Sequence, residues 1–263
     1  MPNANSSIGP TNDAEGSSRL QDHLRKNLAS SDWPVQLKLA IACRKLADEG
    51  HALTLAGQVS ARAEDESYWT TQLTSGFSHV TRSSVVRINS NLDVIEGTGI
   101  ANPAVRFHLW VYKKRPDVNA IVHTHPPYCS ALSMTGEELV VAHMDATVFY
   151  ADCAYLPEWP GVPVSDEEGR IISQALGNKR AILLANHGFL TVGKSIEEAA
   201  YLGILFENAA RLHMLARAVG PIKPIEPDLA QEAHDFLLAD PIVNATFSSW
   251  GSRLLHDCPE ITD

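Results

Sequence analysis

Residues 120–128 read AIVHTHPPY, and how this stretch is read decides the fold. An apolar run ends in two histidines, His123 and His125, with one residue between them. Side chains on a strand alternate between faces, so a strand over 118–125 puts both imidazoles on one face. A second apolar run, RAILLANHG at 180–188, ends in His187 followed by Gly188. Three imidazoles brought in at the ends of two strands form a donor set for one divalent ion. Zinc and its neighbours favour imidazole, and catalytic sites commonly keep three protein ligands and an open position. Gly188 is expected to supply the sharp backbone turn beside His187. Two locally bonded strand-end histidines with an unrelated third would show the same spacing, so spacing alone leaves that reading open.

Working outward, DWPVQLKLAIACRKLADEG (32–50) has a helical apolar spacing, with Asp32 near Pro34 as its start signal and Gly50 as its stop. Strand-like pieces follow at 53–63 and 68–81, and SVVRINSNLDVIEG (84–97) reads as a hairpin turning at NSN. PAVRFHLWVYKKR (103–115) reads as a helix with Pro103 in its first turn. Helices over 165–178 and 195–220 each open with a capping box, Ser165 to Glu168 and Ser195 to Glu198. Strands and helices alternate, which predicts an α/β domain over 19–220. A disordered polar tail is expected at 1–18, and a C-terminal helical extension with a proline-rich start is expected over 221–263.

The chain of 263 residues has 21 basic and 31 acidic side chains, a net charge of −10, and no basic run. That balance argues against a nucleic-acid partner. No apolar run approaches a membrane span, and no signal peptide is visible at the start. The four cysteines are scattered without a CxxC, as free thiols in a reducing compartment would be. The expected location is cytoplasmic.

RPDVNAIVHTHPPYCSALS (115–133) and AILLANHGFLTVGKSIEEAAYLGILFE (181–207) resemble the class II aldolase/adducin family, and the resemblance spans roughly 35–217. It implies a three-layer αβα fold with a mostly antiparallel central sheet. It also implies a divalent metal on His123, His125 and His187, with zinc first and manganese or iron as alternatives. A homotetramer with active sites at subunit interfaces is implied as well.

The sugar-phosphate aldolases of the family carry a serine–serine–glutamate run before the HxH pair. Its glutamate is the acid/base, and here that position is Ala104; Asn102 and Pro103 stand for the two serines. Gln58 stands where the family has an asparagine, and Ser75 and Gly76 partly match a phosphate loop. Gln58, Ser75, Gly76 and Asn102 are therefore the substrate-binding candidates. Alanine moves no proton, so Asp145 and His143 are the catalytic candidates for donating one. His108, one turn after Ala104, is expected to be a packed histidine and His79 a solvated one. Tyr150 and Tyr155 read either as lining a neighbouring subunit's pocket or as packing beside prolines, and Leu202, Leu205, Ala209 and Leu212 read as core.

The expectation is a metal-dependent carbon–carbon lyase, of decarboxylase or aldolase type, acting on a small non-phosphorylated hydroxylated or oxo acid. The alternatives are a non-haem iron(II) oxygenase on the same fold and an adducin-like interaction module without catalysis.

Overall fold

A computed structural model of the chain describes residues 18–20, 22, 23, 26, 32–51, 53–161 and 165–263. The expected polar tail lies, apart from Ser18, outside the described residues.

Among the described residues, eight strands form one sheet: β1 (Gln58–Arg62), β2 (Tyr68–Thr71), β3 (Val85–Ile88), β4 (Val94–Glu96), β5 (Ala120–Thr124), β6 (Cys153–Leu156), β7 (Ala181–Leu184) and β8 (Gly188–Gly193). Their order is β4-β3-β2-β1-β5-β8-β7-β6. Every pairing is antiparallel except β6 with β7. The helices are α1 (Val35–Asp48), α2 (Val105–Lys114), α3 (Pro127–Ser133), α4 (Asp166–Leu176), α5 (Ile196–Val219), α6 (Pro227–Leu237) and α7 (Asp240–Asp257).

The period of two along β5 sorts its side chains between two cores. Ala120 and Val122 pack with Leu39 and Ile41 of α1 and Phe247 and Leu254 of α7. Ile121 packs with Phe107 and Val111 of α2, Ile172 of α4 and Leu190 of β8. Helices thus cover both sheet faces, which is the three-layer αβα arrangement expected. The residues beyond 220 join the first core: Phe247 and Ile261 are fully buried, and the Asp263 carbonyl accepts the Ser83 N–H at 2.8 Å.

Local signals are partly as expected. Asn89 turns the β3–β4 hairpin by accepting the N–H groups of Asn91 and Asp93 on its side-chain oxygen. Ser165 and Ser195 accept from Glu168 and Glu198, half of each capping box. The Glu198 carboxylate bonds the Lys194 N–H and Arg180 instead of returning to Ser195. Asp32 does not cap α1; the N-cap is Pro34, whose carbonyl accepts the Lys38 N–H. The strand expected from 53 begins at Gln58, and Leu53 and Leu55 before it are exposed.

Candidate metal centre

His123 is the fourth residue of β5, paired across the sheet with Gln58 of β1 and Leu190 of β8. It falls on the Ile121 side, where the Phe107 ring meets it edge-on with centroids 4.9 Å apart. Its Nδ1–H donates to the Phe189 carbonyl at 2.7 Å, which leaves a lone pair on Nε2. His125 follows the last strand residue, and its Nε2 lies 2.9 Å from the Nε2 of His123. His187 sits in the turn between β7 and β8, and its ring centroid is 4.9 Å from that of His123 and 4.6 Å from that of His125.

One nitrogen from each of the three rings lies within 4.8 Å of the others. Burial holds all three imidazoles neutral. His123 is pushed well below the ordinary range by desolvation and then by its histidine neighbours, His125 is lowered by burial, and His187 is lowered to about 4. Two lone-pair nitrogens this close repel unless a proton or a cation lies between them. The Nδ1 of His187 is buried without a hydrogen-bond partner. Neutral nitrogen donors, crowded on one point and one of them already oriented by a backbone carbonyl, fit a zinc-type divalent ion. His123 is buried while His125 and His187 are half-buried, so the cluster opens toward solvent on their side.

Neighbouring residues fix this geometry. The turn residue with left-handed backbone is Asn186 (φ 56°), not Gly188, which corrects the role expected for the glycine. Gly188 is needed for space. A Cβ there would lie 2.6 Å from the Thr124 carbonyl and 2.7 Å from Cδ2 of His125. Glu207 of α5 accepts the N–H groups of Tyr128 and Cys129 at 2.9 and 2.8 Å and so pins the chain that leaves His125. His51 is buried against Thr124, with 2.8 Å between Nδ1 and Oγ1. The sequence reading passed over Glu207 and His51. A glutamate amid the apolar YLGILFENAA stretch was the only signal for the first.

The other candidates divide. Gln58 is buried beside His123 in the sheet register, and its Oε1 has no partner. Ser75, Gly76 and Asn102 line one small cavity together with Gly57 and Phe77. Asn102 has its side-chain oxygen committed to the Ala104 N–H at 3.0 Å. Ala104 is buried at the start of α2. His143 and Asp145 have side chains 52% and 49% exposed and contact each other, with the Asp145 N–H on His143 Nδ1 at 3.3 Å. His108 is packed as expected, fully buried with Nδ1 2.7 Å from Ser60 Oγ. His79 is exposed.

The family profile for the class II aldolase and adducin N-terminal domain matches residues 37–214. The chain is 29% identical over 202 residues to a 4-hydroxy-3-prenylphenylpyruvate oxygenase/4-hydroxy-3-prenylbenzoate synthase of Streptomyces roseochromogenus subsp. oscitans, covering 75% of this chain and 73% of that one. It is 29% identical over 202 residues to the decarboxylase NovR of Streptomyces niveus, covering 75% of each chain. The L-fuculose 1-phosphate aldolase structure from Glaciozyma antarctica PI12 superposes with a TM-score of 0.79 at 30% identity, covering 87% of this chain and 92% of that one. With the sheet order, the two helical layers and the profile in agreement, the chain belongs to the class II aldolase and adducin family.

Proposed function

We propose that the protein is a metal-dependent carbon–carbon lyase acting on a small, non-phosphorylated hydroxylated or oxo acid, with decarboxylation as its reaction. The observation that carries this reading is the convergence of three neutral imidazoles beside a helix that opens with Ala104 instead of a carboxylate. A divalent ion held by His123, His125 and His187 would supply Lewis acidity, drawing electron density from a substrate carbonyl.

The residues around it then choose between reactions. Retro-aldol cleavage begins when a base takes a hydroxyl proton, and the Ala104 methyl takes none. Decarboxylation begins from a carboxylate that is already ionised, and it asks only for a proton afterwards. The cavity lined by Ser75, Gly76 and Asn102 measures about 10 Å³, has no lysine or arginine in its lining, and has room for about one water. That supports a substrate without phosphate. Gln58, with its free buried oxygen beside His123, is the residue we assign to orient the substrate.

Zinc is the ion we expect, in a homotetramer acting in the cytoplasm. Light scattering that gives a monomer at micromolar concentration would remove the oligomer from this reading. The test of function is metal analysis of the purified protein together with CO₂ release from a panel of hydroxylated aromatic and 2-oxo acids. Bound zinc or manganese with CO₂ release is expected. His123→Ala should abolish both.

A second reading is favoured by one finding, the relative whose name includes an oxygenase. Bound iron and oxygen uptake with the same panel would select it. Absence of any bound metal and any turnover would select an adducin-like interaction module.

A further inference from the structure

Glu168 is the third residue of α4, and its N–H donates to the Ser165 hydroxyl at 3.4 Å. The returning half of that capping box is missing. Both Glu168 carboxyl oxygens are buried and neither has a hydrogen-bond partner. Among the described residues, no other carboxylate is in this condition. An unpaired buried carboxylate is costly, and an aliphatic residue would serve the fold better. Ile172 and Leu176, one and two turns further along the same face, are fully buried apolar residues.

Its place in the fold supplies the reason for a carboxyl there. β5 and β7 both run antiparallel to β8, so they share a direction, and β6 is parallel to β7. β6 therefore ends where His123, His125 and the turn carrying His187 lie, and α4 is the helix that follows it. Gly169 lets α4 close directly on α2. A Cβ at 169 would lie 2.5 Å from Cδ1 of Trp110 and 3.1 Å from Cα of Phe107. Phe107 in turn meets the His123 ring. Ala104 stands one turn earlier on that same helix. Glu168 and Ala104 thus lie on the two helices of one crossing, and Phe107 of that crossing reaches the His123 ring.

We propose that Glu168 is the proton donor of this site, carried on α4 and acting only after the carbon–carbon bond has broken. The proposal rests on the lyase reading above. In the decarboxylation, the bond from the substrate carbon to the carboxylate breaks and CO₂ leaves, while the electron pair stays on the carbon. The Glu168 O–H gives its proton to that carbon, and the resulting carboxylate regains a proton from water. The transfer requires the long Glu168 side chain to swing across the crossing toward Ala104. Burial raises the Glu168 carboxyl to about 7, so it carries a proton near neutrality and releases it readily. The rivals are less suited. Burial lowers His51 and His108 to about 3, and His143 and Asp145 contact each other at the surface.

The experiment follows the Glu168 carboxyl by NMR in protein labelled with ¹³C-glutamate, assigned with Glu168→Gln, or with Glu168→Asp if the glutamine variant does not fold. In metal-free protein the signal should titrate near 7. Zinc loading should lower that midpoint by about one unit or more, because a nearby dication favours the ionised form. In His123→Ala the lowering should vanish. Glu168→Gln should retain full zinc content while kcat for CO₂ release falls about 100-fold or more at little-changed KM. A midpoint in the ordinary glutamate range, about 4–5, or one that zinc does not move, would overturn the proposal. Zinc uptake with an unmoved Glu168 overturns this proposal alone. A moved Glu168 in a protein that releases no CO₂ overturns the lyase reading and with it the role given to Glu168, and failure to take up zinc or manganese overturns both.

Discussion

Replacing Glu207 should damage the metal centre without touching a metal ligand. Helix α3 begins at Pro127 after an N-cap of Pro126, and neither proline has an N–H to satisfy. The unsatisfied donors left in its first turn are Tyr128 and Cys129, and both give their N–H to Glu207, at 2.9 and 2.8 Å. Glu207→Ala strips both partners from buried backbone, at about 1–3 kcal/mol each. Part of that is returned. Burial raises the Glu207 carboxyl above its ordinary range while the two N–H groups pull it back, so removing the carboxylate also removes a desolvation cost. The net loss should be about 2–4 kcal/mol, read as a lower urea midpoint with an unchanged slope. Because the pinned segment starts three residues after His125, zinc affinity should also fall about tenfold or more. Glu207→Gln keeps one acceptor and should fall between wild type and alanine on both measures. A Glu207→Ala variant within about 1 kcal/mol of wild type, with unaltered zinc affinity, would show that α3 holds itself in place.

Gly188→Ala should cost about 1–3 kcal/mol and loosen zinc binding, because its methyl would collide with the Thr124 carbonyl and the His125 ring; calorimetry and zinc titration measure the two effects, and normal values for both would contradict the packing described. His51 and His108 are held near 3, below their unfolded value near 6.5, so the unfolded chain binds more protons between those limits. Their contribution to stability is therefore complete above about pH 6.5 and is lost as pH falls toward 3, a slope that His51→Gln should flatten in urea midpoints taken from pH 7 to 4. Ala104→Glu should lower native turnover about tenfold or more, equivalent to about 1.4 kcal/mol of barrier, since a carboxylate beside the imidazoles would compete for the open position; steady-state kinetics with wild-type rates and wild-type metal loading would show that position 104 does not face the reacting centre.

Much of the fold could be read because periodicity is a local property. Alternation over 118–125 put His123 and His125 on one face, and serine followed three residues later by glutamate marked the starts of α4 and α5. Gly188 was harder to read. Glycine in sequence signals conformational freedom, but here the left-handed residue is Asn186 and the glycine answers to a carbonyl on another strand. His51 against Thr124 and Glu207 against Tyr128 are bonds between residues 73 and 79 positions apart, and no local pattern encodes such a partner. Glu168 was read only as a cap, because the missing half of its capping box shows up only once the side chain is placed. His143 and Asp145 were candidates because they lie where a proton donor could reach the site, and in this structure they meet each other at the surface.

The turn at Asn186 has a topological consequence. His125 and His187 stand at the two ends of a loop of roughly sixty residues that contains α3, β6, α4 and β7. Joining those two side chains through a shared ion would clasp that loop as a cross-link does. A cross-link of this span removes about 4 kcal/mol of chain entropy from the unfolded state. The imidazoles would then act as a removable buckle on the middle of the sheet, with a chelator as the means of opening it.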